Sequence, residues 1–347
     1  MLLNTDYISP AELTGFVRAD LEQFHLNENN AFFAQWLPND TIDDIRYAFS
    51  EGGELESNVA SYRAYDAESP IGARPGRTRV EGEIPPISEK IRLGEYDILR
   101  RRRDPEEAIR NVILRDARRQ ARGIARRVEL ARAEALLTGK VTLVENGLAL
   151  ELDFGRDGDL TATPGTAWST TASSDPVSDL LAWQLLLRQR GSEPAVILAA
   201  PEVITLATRS KKIIDAVVGA AAQQTQVTVD QLNAHLQAHG LPPMVPYTAN
   251  VGGIRPLGNN KLLMLPAPVG AANTADATVG TTLWGTPAEA LEEAYELDVD
   301  NGEGPGVVSG VYKVPQPVAL WTNTSAIVVP LLAAPNSVLA ATVQAAA

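Results

Sequence analysis

The stretch DPEEAIRNVILRDARRQARGIARRVELARAEALLTG, residues 104–139, decides how this chain is read. It opens with Asp104 as N-cap, Pro105 at the first helical position, and Glu106 and Glu107 in the first turn. Free backbone N–H groups and the helix dipole favour that arrangement. Ile109, Ile113, Ala117, Ala121, Ile124, Val128, Ala131 and Ala135 follow at steps of three or four, which makes one apolar stripe. Thr138-Gly139 supplies the stop. The spacing predicts one helix over residues 105–138, roughly 50 Å long at about 1.5 Å per residue. Its other face carries Arg115, Arg118, Arg119, Arg122 and Arg126. No aromatic residue interleaves with these arginines. The face therefore reads as solvated or paired to acidic neighbours, with a DNA-reading helix as the alternative.

Upstream, residues 51–97 contain only 15 hydrophobic residues in 47, and Pro70, Pro75, Pro85, Pro86, Gly72, Gly76 and Gly82 punctuate them. Arg74, Arg77 and Arg79 stand in the middle, and Thr78–Glu81 can alternate as a strand. Such a segment cannot bury itself. An extended hairpin lying on another subunit would solve that problem. Residues 1–50 read as an arm. Ser9-Pro10-Ala11-Glu12 starts a helix with a capping box. Phe32, Phe33, Trp36 and Leu37 form an apolar cluster with two readings, local packing or docking on a neighbouring chain.

Downstream, Val141–Val144 and Leu148–Phe154 read as a hairpin around Asn146-Gly147. Asp175-Pro176 opens a helix bearing Leu180, Trp183 and Leu187 on one side, and Thr228–Gln231 is a second capping box. Pro201–Arg209 reads as a short helix. Ala195–Ala199, Met244–Tyr247, Lys261–Leu265, Thr281–Trp284, Ala319–Trp321 and Ser325–Leu331 read as strands. Strands and helices neither alternate strictly nor segregate, which places the chain in the α+β class.

Composition narrows the function. The chain has 347 residues, net charge −13 and no cysteine, so disulfides, thiolate metal sites and cysteine nucleophiles are excluded. Twelve arginines and seven acids between Asp97 and Glu134 leave the remainder strongly acidic, unlike a general DNA binder. The longest apolar run, Ala326–Ala334, is too short for a membrane span, and the start lacks a basic signal-peptide region. His235 and His239 lie one helical turn apart, but Leu236 stands where a zinc protease needs Glu. Asp298, Asp300 and Glu303 fail calcium-loop spacing, and Asp153, Asp157 and Asp159 surround a Gly-rich turn. Gly302–Gly306 is a very weak dinucleotide motif. No nucleophile, base and orienting group assemble, so an enzyme would need an unrecognised carboxylate site. No catalytic residue, metal ligand or cofactor is expected.

Three stretches carry a family resemblance. They are Glu83–Lys90 with the Arg-rich run after it, Leu283–Ala290, and Ala326–Leu331 with Asn336 and Val343 beyond. In their order and spacing the chain resembles the lambda-type major capsid proteins of tailed bacteriophages, the capsid protein E family. The resemblance implies a tailed-phage capsid fold: N-terminal arm 1–50, extended loop 51–97, peripheral domain 98–191 with spine helix 105–138, axial domain 192–315, and strands 316–347 returning to the peripheral domain. It implies a non-enzymatic subunit that assembles with copies of itself, as hexamers and pentamers, into an icosahedral shell around phage DNA. DNA would be packaged without sequence-specific contact. The implied partners are a separate scaffolding protein, a decoration protein and the portal. The implied location is the virion capsid, assembled in the host cytoplasm without a membrane. Candidate interface residues are Arg74, Arg77 and Arg79, which would meet acids on a neighbour, with Phe32, Phe33 and Trp36. The alternative within this architecture is an encapsulin-like nanocompartment shell. Some relatives weld subunits through a Lys–Asn bond, but only six lysines are present, with Lys90 the one near the loop, and nothing assigns that chemistry here.

Overall fold

The computed structural model describes residues 2–25, 31–51, 78–101, 106–219, 223–269, 279–299 and 302–344. The expected cap at Asp104-Pro105 lies outside them. The long helix runs Glu106–Thr138, and all eight residues of the predicted stripe are buried. Each fully buried Ile or Val there contributes about 1.5–3 kcal/mol. The helix stops where the sequence places the stop. Gly139 takes φ +70°, and its N–H bonds the Ala135 carbonyl at 2.8 Å. Arg156 then donates to the carbonyls of Leu136 and Leu137 at 2.7 and 2.6 Å, satisfying the frayed last turn. Burial lowers this guanidinium to about 10.

The helix lies on a sheet whose central member is Val318–Leu332, one strand of 15 residues. Sequence spacing predicts two short strands here, broken at Thr322-Asn323-Thr324. The ladder continues because the polar residues find partners: the Thr322 carbonyl accepts from Gln120 at 2.8 Å, and the Thr324 hydroxyl donates to Gln120 at 2.8 Å. On one side of the central strand Pro86–Leu93 pairs antiparallel with Leu320–Ile327. On the other side lie Val308–Pro315, opposite Val318–Ser325, and Gly280–Gly285, opposite Ile327–Leu332. Leu2–Leu3 and Asn39–Thr41 extend that second side. The arm helix Pro10–His25 packs against the long helix and Val308–Pro315; the Ser9 hydroxyl accepts from the Glu12 N–H, the Ser9 half of the expected capping box, while the Glu12 carboxylate pairs with Arg110.

A second sheet has the order Met244–Pro246, Val196–Ala199, Lys261–Leu265, Leu339–Thr342, Thr161–Ala162. Helices Pro176–Gln189, Pro201–Thr208, Lys211–Val217 and Val229–Ala238 share its core. Asp175 caps the first of these, and Thr228 with Gln231 forms the predicted capping box. Two hairpins stand apart from both sheets. They are Arg46–Glu51 with Thr78–Glu83, and Lys140–Glu145 with Leu148–Asp153 around the positive-φ pair Asn146-Gly147.

Sheet membership does not follow the segment borders expected from sequence. Gly280–Gly285 and Val308–Pro315 fall in the expected axial segment 192–315 but pair beneath the long helix. Pro176–Gln189 falls in the expected peripheral segment but packs in the second core. Within 316–347 the chain divides, since Leu339–Thr342 joins the second sheet. The chain crosses between sheets several times, and strand pairing is a long-range choice that local spacing does not encode.

A buried ion pair sits where these crossings meet. Glu129 and Arg132, both on the long helix and both essentially inaccessible, are 3.1 Å apart. Glu129 also accepts the Phe33 N–H at 2.7 Å. Arg132 donates to the Thr282 hydroxyl at 2.9 Å and to the Asn39 side-chain carbonyl. Thr282 donates on to the Leu37 carbonyl at 3.0 Å. Burial pushes the Glu129 carboxyl up, and Arg132 with the Phe33 amide opposes it. Removing one partner leaves an uncompensated buried charge. Arg132→Met is expected to cost about 3–5 kcal/mol, read as a lower urea midpoint. Glu129→Leu/Arg132→Met should recover part of that loss, because the Phe33 N–H still lacks its acceptor. A single variant that leaves the midpoint in place would contradict this account.

Candidate assembly surfaces

The first surface is the hairpin Arg46–Glu51/Thr78–Glu83, whose strands pair only with each other among the described residues. A lone two-stranded hairpin is marginal in water and needs support. Its root has that support. Tyr47 and Ile84 are buried, and the Ile84 N–H bonds the Ile45 carbonyl at 2.8 Å. Tyr47 lies so close over Gly82 that a Cβ there would enter its ring. Of the predicted site residues, Arg74 and Arg77 lie outside the described residues. Arg79 stands in the hairpin opposite Ser50.

The aromatic cluster is placed differently. Phe33 and Trp36 are 0% and 2% exposed, with the Phe33 ring 5.1 Å from Tyr247 and the Trp36 indole N–H donating to the Pro266 carbonyl at 2.8 Å. Phe32 is half-buried, its ring 5.2 Å from Tyr247. The interface role expected of Phe33 and Trp36 is corrected by this burial. The arm threads between the long helix and strand Gly280–Gly285, so their surface is already covered by their own chain.

The arginine face of the long helix is partly neutralised from within. Asp20 of the arm helix is buried; it accepts from Arg122 at 2.7 and 2.8 Å and forms an ion pair with Arg118, whose Nε lies 2.9 Å away. Arg118 stacks over Phe16, and Arg122 and Arg126 over Phe24, at 5.0, 5.3 and 5.6 Å. Arg110 reaches Glu12. Arg115 and Arg119 remain exposed and surround Asp116, whose carboxyl is pushed up by burial against their pull. Lys90 lies 5.2 Å over the Trp321 ring. The arm helix is therefore clamped by charge and by aromatic faces, a signal legible in sequence only as scattered Asp and Phe.

The other sequence candidates resolve as structure. Asp157 and Asp159 accept from Arg190, and Asp153 accepts from Lys140 and the Gly155 N–H. Glu303 closes a turn onto the Asp298 N–H. The His235 and His239 rings sit 4.7 Å apart on the surface. Among the described residues no three His, Cys, Asp or Glu side chains group to hold a metal, and no helix is long and apolar enough to cross a membrane.

The family profile for phage major capsid protein E matches residues 52–343. The chain belongs to that family. Its function is that of a capsid protein, a structural subunit of the icosahedral phage shell, and the phage reading fits better than the encapsulin-like one. Solved structures agree on the fold. A protein assigned as the capsid protein of a prophage in E. coli CFT073 is 14% identical with a TM-score of 0.59, covering 95% of this chain and 99% of that one. A phage-related protein from Bordetella bronchiseptica RB50 is 14% identical with a TM-score of 0.54, covering 95% of each chain. No curated protein sequence matches.

In this capsid protein the arm clamp carries a titratable group. Burial, and secondarily the charge of Arg132, holds His25 down at about 4. The folded chain then binds fewer protons than the unfolded chain between pH 6.5 and 4. Its contribution to stability is full above pH 6.5 and falls as pH drops toward 4, by on the order of 2–3 kcal/mol. His25→Gln should remove that component. Urea midpoints at pH 7 and pH 4.5 should therefore differ more in the parent than in the variant, and parallel profiles would refute the assignment.

Proposed function

We propose that this capsid protein closes rings of six and of five copies by head-to-tail contacts, and that these rings join into an icosahedral shell around phage DNA. A heterologous contact that closes under rotation makes a ring, and many modest contacts per subunit add up to a stable shell. The observation that carries the reading is the hairpin Arg46–Glu51/Thr78–Glu83, in a chain that belongs to a capsid family. Among the described residues it pairs with neither sheet of its own chain, and a neighbouring subunit supplies the surface it lacks. Arg74, Arg77 and Arg79 meet acids on that neighbour. Exposed pairs contribute only about 0–1 kcal/mol each, so they set register more than strength.

The subunit works without catalysis. Its partners are a scaffolding protein, the portal and a decoration protein, and assembly takes place in the host cytoplasm. The net charge of −13 disfavours tight binding to packaged DNA, which is held without sequence-specific contact. Electron microscopy of the chain co-expressed with its scaffolding protein tests this. Closed shells, or free rings of six and five, are expected. A uniform monomer or dimer under the same conditions would overturn the reading, and shells loaded with a host enzyme would transfer it to a nanocompartment.

A further inference from the structure

Two exposed patches differ in charge and adjoin strands that lie on opposite sides of the central strand Val318–Leu332. Leu320–Ser325 pair with Pro86–Leu93 on one side and with Val308–Pro315 on the other, so those two strands cannot share an edge. Gly280–Gly285 lies on the same side as Val308–Pro315, since Ile327 pairs with both Pro86 and Gly285.

Beyond Pro86–Leu93 comes the short helix Glu95–Arg100, which has no buried residue. Tyr96 and Leu99, three apart and so on one helical face, are 75% and 56% exposed. Arg92, Arg100 and Arg101 flank them. Glu95 and Asp97 share the helix, and Arg101 joins Arg115 and Arg119 around Asp116.

On the other side of the central strand, residues 286–309 link the two collinear strands and contain no Lys or Arg. This connection is held in place. Ala290, Tyr295 and Val308 form a small core, and the Tyr295 and Tyr312 hydroxyls are 2.6 Å apart. Against that anchored base Leu291 turns outward, 66% exposed, with Glu292, Glu293 and Glu296 around it. Glu303, further along, faces Arg18 of the arm helix. Each patch therefore has an apolar centre; in the first rim three arginines outnumber Glu95 and Asp97, and the second rim is wholly acidic, a difference that favours one docking orientation over others.

We infer that these two patches dock on each other in adjacent copies, Tyr96 and Leu99 of one subunit against Leu291 of the next, with Arg92, Arg100 and Arg101 facing Glu292, Glu293 and Glu296. Two different patches meeting across one interface generate a head-to-tail contact rather than a two-fold one. The inference rests on the shell reading and deepens it.

The chain has no cysteine, so introduced thiols report cleanly. In the full chain assembled with its scaffold, Leu99→Cys/Leu291→Cys treated with a short bis-maleimide should give a ladder of covalent multimers, while either single variant stays monomeric. Dimers from Leu99→Cys alone would indicate a two-fold contact and overturn the inference. Glu292→Arg/Glu293→Arg should lower the assembled fraction at least tenfold, as should Arg100→Glu/Arg101→Glu, and combining the two should restore assembly. Restoration excludes misfolding as the cause. If the parent forms shells but the double-cysteine chain stays monomeric, the inference falls and the shell reading stands. If the parent forms no shells, both fall.

Discussion

The buried Glu129–Arg132 pair is the constraint from which the rest of the fold is organised. Two ions out of water are tolerated only when their remaining hydrogen-bonding positions are filled. Here they are filled by the Phe33 amide, Asn39 and Thr282, which come from segments far apart in sequence. The arm must therefore cross the long helix at one place, and strand Gly280–Gly285 must meet it there. Trp284 adds to the same node by donating to Asn39 at 2.8 Å. Such a site contributes registry more than net stability, because any slip of the arm or the strand leaves a charge unpaired.

A second buried polar chain fixes the other half of the helix. Thr14 of the arm helix exchanges hydrogen bonds with the Ser309 backbone, the Ser309 hydroxyl meets Thr324, and Thr324 donates to Gln120. With the Asp20 clamp, this makes arm helix, long helix and sheet one body. A capsid protein gains from that rigidity. Its weak outward contacts then repeat at fixed angles, and a ring closes only if the angle is reproducible.

The parts legible in sequence are those governed by local physics. The long helix, its stop at Gly139, the cap at Asp175, the box at Thr228 and the Asn146-Gly147 turn follow from backbone donors, φ preferences and 3.6-residue spacing. Strand Val318–Leu332 was legible only in pieces, because Thr322 and Thr324 look like a break until Gln120 is seen beside them. Val308–Pro315 and Lys211–Val217 escaped for want of a clear period. The charge node escaped because Glu129 and Arg132 look like ordinary members of an Arg-rich surface helix. Only the opposing strand and the arm bury them. Phe33 and Trp36 failed as interface candidates for the same reason, since an apolar cluster in sequence does not say which chain will cover it.

The central claim is that the subunit is a prefolded body whose hairpin Arg46–Glu51/Thr78–Glu83 is completed by a neighbour. Amide hydrogen exchange on free subunits and on assembled shells tests it most directly. The account predicts that the amides of both hairpin strands exchange fast in the free subunit and become protected in the shell, while those of Glu106–Thr138 are protected in both. Equal protection of the hairpin in the two states would contradict it.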